Sequence, residues 1–167
     1  VCGWEEVKKQ FKLQNMSEVL PYFLDEQTVI KDVDFPDTGI DNVFMLKPED
    51  WTVLLSKWDN YSNDWKSAMA YFAGFVFLED SAELLYKALS EKDEKIKLQA
   101  LFSIHESIMA ELDHQQNKAP NKPAKTGYKF SKENKDHVLN EIENHVNDFE
   151  FYPELEELQD YMKAVKV

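Results

Sequence analysis

Leu84–Leu112, LLYKALSEKDEKIKLQALFSIHESIMAEL, reads as two amphipathic helices joined by a short charged turn. Leu84, Leu85, Ala88 and Leu89 fall at i, i+1, i+4 and i+5, on one side of a helix. Ser81 is placed to cap its start, and Glu83 adds a favourable charge to its first turn. The turn Ser90-Glu91-Lys92-Asp93 is polar, with Asp93 as the N-cap of the next helix. In that helix Ile96, Ala100, Leu101, Ile104, Ile108 and Leu112 recur at helical spacing and form a long apolar stripe.

Trp51–Val76, WTVLLSKWDNYSNDWKSAMAYFAGFV, repeats the scheme more weakly. It has a Leu-Leu pair (Leu54, Leu55), a polar turn (Asp59 to Asn63), a cap candidate in Asp64, and a second helix through Ala68, Ala70, Tyr71, Phe72 and Phe75. The step from Leu54 to Leu84 is 30 residues, a spacing at which internal similarity suggests stacked helical hairpins. Leu84, Leu85, Ala88, Leu89, Asp93, Ile96, Ala100, Leu101, Ser103 and Ile104 carry a pattern that resembles a HEAT or armadillo-type repeat. Those repeats commonly place an Arg just after the Asp turn, where this chain has Lys95 and Lys97. The resemblance implies helix pairs stacked side by side, with a surface that binds another macromolecule. The expected fold is therefore mainly α, as a helical-hairpin array or as an irregular helical bundle.

The length of 167 residues suits one domain that buries its own core. Its expected parts are a HEAT-like core at about 49–114, a mobile Lys/Pro loop at 115–130 and acidic helices at 131–165. No run of eighteen or more apolar residues marks a membrane span. The chain begins Val-Cys rather than Met, so a processed or truncated start is expected. With Cys2 as the single cysteine no internal disulfide forms, which points to a reducing, cytoplasmic setting.

Charge is the clearest global property. Thirty-two acids against nineteen bases give −13, and every base is Lys. Nucleic-acid binders normally carry a basic face with Arg reading phosphates and bases, so that role is not expected. An acidic field favours a basic protein partner and speeds its approach.

Before the central stretch, Trp4 to Leu24 reads as helical, with Val7, Phe11 and Leu13 on a first stripe and Pro21 in the first turn of a second segment. Thr28-Val29-Ile30 and Val43-Phe44-Met45 are short β-type runs flanking the turn-rich Asp34–Gly39, which predicts a small β-hairpin near 28–46. Pro48-Glu49-Asp50 opens the first central helix. After Leu112, Gln115 to Lys129 holds four Lys and no acid, and reads as a surface loop. Ser131 starts a helix through Val138, Leu139, Ile142 and Val146, and Pro153 starts a last one through Leu155, Leu158, Tyr161, Met162 and Val165.

The inventory for chemistry is short. The chain has no Gly-rich phosphate loop, G-x-S-x-G elbow or C-x-x-C pair. His137, Glu141 and His145 align on one helical face, and Glu111 with His114 makes an E-x-x-H spacing. His137 and His145 stand two turns apart, about 12 Å by helix rise, too far to share one ion directly. No residue is assigned to catalysis or to a metal, and no cofactor is implied. Asp136 to Asp160 holds nine acids and no Lys. Within it Asp148, Glu150, Glu154, Glu156, Glu157 and Asp160 are the expected partner-binding acids, joined by Tyr61 and Trp65 as exposed aromatic anchors.

The expected function is protein binding: an inhibitor, in its most concrete form a bacterial immunity protein or antitoxin that blocks a basic toxin or nuclease with an acidic helical surface. The alternatives are a scaffold or adaptor segment of a larger HEAT-like protein and, third, a metal-dependent helical enzyme.

Overall fold

The computed structural model describes residues 15–167. In them the polar turn of the central stretch joins two helices as its caps require. Asp93 accepts from the N–H groups of Lys95 (2.9 Å) and Ile96 (3.2 Å), satisfying two donors of the helix start. Nine α-helices run through the described residues, which contain no strand: α1 (Leu20–Leu24), α2 (Glu26–Asp32), α3 (Asp37–Val43), α4 (Pro48–Lys57), α5 (Asn63–Ala73), α6 (Leu78–Leu89), α7 (Glu94–Lys118), α8 (Lys132–Glu143) and α9 (Pro153–Ala164). Short 3-10 turns lie at Trp58–Asn60 and Val146–Asp148. The apolar face expected of Trp4 to Leu13 lies outside the described residues.

Two expected caps shift. α6 begins one turn before Ser81, because Leu78, Ala82, Leu85 and Leu89 form one buried stripe and the helix extends to seat Leu78. Ser81 is buried within that helix. α5 is capped by Ser62, whose hydroxyl accepts from Trp65 N–H at 3.3 Å. Asp64 sits in the first turn, where its charge favours the helix dipole. Ser131 caps α8 as expected, accepting from Asn134 N–H at 3.1 Å.

The helices pack in two layers. α1, α4, α6 and α8 follow one another in the first, and α2 with α3, then α5, α7 and α9, in the second. Bonds between successive helix pairs stitch the layers. Ser17 N–H donates to Asp50 Oδ1 (3.0 Å), Tyr61 OH to the Leu24 carbonyl (2.9 Å), and Ser107 Oγ to the Val76 carbonyl (2.5 Å). Close backbone approach holds the middle together. A Cβ on Gly74 would lie 2.9 Å from Ser103 Cα, so only glycine lets α5 and α7 meet there. Around this seam the core is fully buried at Trp58, Trp65, Phe72, Leu54, Leu84 and Leu101.

The β-hairpin expected near 28–46 does not form. Thr28-Val29-Ile30 lies in α2, where Asp25 accepts from Thr28 N–H (3.1 Å) and Val29 is wholly buried. The weak β preference of a three-residue run gives way to capping and to burial against α5. Val43 ends α3 and is buried, while Phe44 and Met45 follow it exposed. The Lys/Pro connection is also shorter than expected, because α7 runs on to Lys118. Its second half is tied down: Gly127 N–H donates to Glu111 Oε1 (2.6 Å), and Phe130 is buried edge-to-face with Tyr128.

Candidate protein-binding surface

The second layer carries an aromatic groove on its outer side. Tyr71, in the last turn of α5, and Phe75, just beyond its end, are half-buried, with ring centroids 5.2 Å apart. On α7, Gln99, Phe102 and Glu106 recur at helical spacing and look out of the layer, while Ala100, Leu101 and Ile104 look in. The turn before α9 brings Phe151 and Tyr152 beside them, and Phe102 meets Tyr152 edge-on at 5.2 Å. Two depressions result. One of about 390 Å³ is lined by Tyr71, Gly74, Phe75, Gln99, Phe102, Ser103 and Glu106. The other, about 270 Å³, is lined by Phe102, His105, Glu106, Phe151, Tyr152 and Glu154. Phe102 and Glu106 belong to both, so the two are neighbours along one groove. Phe151 is 75% exposed at its rim.

The titratable groups lining this groove are Glu106, Glu154, His105 and the tyrosines Tyr71 and Tyr152. His105 is buried in the wall, and its Nε2 lies 2.9 Å from Glu157 Oε2. A hydrogen bond to a carboxylate needs the ring proton on Nε2. Nδ1 is buried without a partner.

The expected acidic strip is divided by this arrangement. Glu154 and Glu157 lie on the flank of α9 toward α7, through the groove and through His105. Gln159 bonds Glu143 of α8 at 3.3 Å, and Glu156 lies toward that other flank. Glu150 and Asp160 are exposed, whereas Asp148 is half-buried with its carboxylate 3.5 Å from His145 Nδ1.

The aromatic anchors expected at the central turn are corrected. Trp65 has no exposed surface, and its indole N–H donates to the Phe23 carbonyl at 2.9 Å. Tyr61 is half-buried and stacks on Trp65, 3.9 Å between centroids. Both rings belong to the packing between helix pairs: Tyr61, in the turn, and Trp65, in the first turn of α5, donate to the Leu24 and Phe23 carbonyls at the end of α1. Three phenylalanines are exposed among the described residues, Phe35, Phe44 and Phe151, and of these Phe151 borders the groove.

A third depression, about 350 Å³, lies where the α6–α7 turn meets the α4–α5 turn. Two pairs form across it, Lys87 with Asp59 (3.4 Å) and Asn63 with Asp93 (3.2 Å), and Glu91 turns inward to Lys66 and Trp58. The histidine spacings do not assemble a metal site. Glu111 turns inward to Gly127, His114 lies against the Phe77 ring, and Glu141 faces Lys97 at 3.7 Å. Among the described residues no three His, Cys, Asp or Glu side chains converge. No helix among them is long and apolar enough to cross a membrane.

Set against models of protein families, characterised proteins and solved structures, the chain matches none.

Proposed function

We propose that the chain is a protein-binding domain whose partner is basic and docks on the face formed by α5, α7 and α9. One observation carries this reading: an aromatic groove whose charged lining residues, Glu106 and Glu154, are both acids, next to Glu157 on the same helix flank. Aromatic floors with a polar rim are the anatomy of protein interfaces. The overall charge of −13 would add long-range attraction to a basic surface.

The most specific form of the proposal is inhibition by cover, as by a bacterial immunity protein seated on a basic nuclease or toxin. A scaffold or adaptor role is the second reading, favoured by the continuous two-layer stacking of helix pairs, a form that presents long surfaces.

The test is capture on the immobilised domain from lysate of the source organism, at low and at high salt, read by mass spectrometry. A basic protein is expected to be retained at low salt and largely released in high salt, where screening shortens the reach of surface charge to a few ångströms. Retention of acidic proteins, or retention indifferent to salt, would contradict the proposal.

A further inference from the structure

The groove carries an inference about what the partner presents. Its two depressions differ in kind. The one under α5 is apolar and aromatic, built on Tyr71, Phe75 and Phe102 around the glycine seam. The one toward α9 places two carboxylates, Glu106 and Glu154, beside three rings, Phe102, Phe151 and Tyr152. Among the described residues no lysine lines either depression. His105 is 6% exposed in the wall of the second, and its Nδ1 is buried without a hydrogen-bond partner.

We infer that this groove receives an arginine of the partner in the depression toward α9 and a large apolar residue beside it in the depression under α5. The inference rests on the protein-binding reading and deepens it. A planar guanidinium stacks on aromatic faces while its N–H groups fork toward carboxylates, and it sheds water more readily than an ammonium. Rings and carboxylates around one depression match that double demand. An ammonium satisfies the acids as a point charge and gains less from the rings. The neighbouring apolar depression then fixes register, because an arginine with no apolar neighbour leaves Tyr71 and Phe75 uncovered. The chain has no Arg of its own, so a second copy of it does not supply this group.

The probe is a short acetylated peptide alternating leucine and arginine, with a lysine-for-arginine version and a glutamate-for-arginine version beside it. Binding is followed by fluorescence anisotropy of the labelled peptide and mapped by backbone amide shifts of the domain. The arginine peptide is expected to saturate and to shift Phe102, Glu106 and Phe151. The lysine peptide should bind several-fold more weakly and the glutamate peptide not at all. Glu106→Gln with Glu154→Gln, both on exposed side chains, should weaken the arginine peptide by about tenfold or more, the value of one good charged contact. Glu83→Gln with Glu133→Gln, exposed acids on α6 and α8, should leave it unchanged. Equal losses in the two double variants, or shifts spread over all acidic faces, would overturn the inference. If the salt-sensitive basic protein is still captured in that case, the groove assignment falls alone. If no such protein is captured either, the protein-binding reading falls with it.

Discussion

Glu91→Ala is expected to lower the unfolding free energy by about 3 kcal/mol, the low end of what breaking a buried ion pair costs. Glu91 sits in the α6–α7 turn, and one of its oxygens serves two donors. Lys66 Nζ of α5 lies 2.9 Å from Oε1, and the Trp58 indole N–H donates to the same atom at 2.6 Å. The Lys66 side chain is 10% exposed and its ammonium lies 5.8 Å from the Trp58 ring centre. Removing the carboxylate leaves an ammonium and an indole N–H, both largely out of water, without their acceptor. The Glu91 side chain itself is 19% exposed, so water relieves part of the loss and the low end of the range applies.

Denaturant unfolding followed by tryptophan emission reads the effect, because Trp58 and Trp65 are both buried in this region. Adding Lys66→Met to Glu91→Ala should recover much of the stability, since the stranded charge disappears with it. A loss below about 1 kcal/mol would place the pair among solvated ones. The pH dependence has a definite sign. Burial pushes the Glu91 carboxyl up, but the bonds from Lys66 and Trp58 outweigh it and hold the group below its ordinary value of 4.5. Its contribution is therefore complete above that value and is lost as the pH falls through the lowered one. In Glu91→Ala this part of the acid sensitivity should be gone.

Glu154→Lys with Glu157→Lys is expected to weaken the basic partner by about a hundredfold or more, some 2.7 kcal/mol. Glu154 borders the groove and Glu157 stands beside His105, so two lysines there turn attraction into repulsion where desolvation is greatest. The paired control is Glu156→Lys with Asp160→Lys. It makes the same change of net charge, yet Glu156 points to the α8 flank and Asp160 to open solvent. Its expected cost is about tenfold or less and should fade with added salt, as for charges at a rim. Titration calorimetry of the captured partner against both variants separates a groove from a general field. Equal losses in the two would mean that only net charge matters.

What could be read from residues alone follows a physical division. Helix ends were legible where one local rule was enough: Asp93 and Ser131 as caps, and Pro48 and Pro153 in the opening turns. The Leu-Leu patterns gave the inner faces of α4 and α6 because the 3.6-residue period is a local property. Thr28-Val29-Ile30 misled because β-branched side chains advertise strands. The opposing signal, Asp25 capping from three residues upstream, was present in the sequence and weighs more. Trp65 was misplaced for a different reason: the acceptor that permits its burial is the Phe23 carbonyl, 42 residues away, and no local pattern reveals it.

The groove was hidden in the same way. Gln99, Phe102 and Glu106 lie outside the apolar stripe of α7, and their neighbours come from α5 and from the turn before α9. The pairing of His105 with Glu157 spans 52 residues. Such a site is a product of layer order, which spacing does not encode. The acidic strip, by contrast, was legible as a run of charge, and the fold added which flank each acid occupies.

The partner is expected to sit on the α5–α7–α9 face. Zero-length carbodiimide crosslinking of the captured complex tests it most directly, because the reagent joins a carboxylate to a lysine amine only where the two touch. Crosslinks from Glu157, at the edge of the groove, to partner lysines are the expected result, with Glu106 and Glu154 left unlinked because the arginine that they hold does not couple. Crosslinks confined to Glu26, Asp59 and Asp93, at the turns joining α1 to α2, α4 to α5 and α6 to α7, would contradict it and move the interface to that edge of the layers.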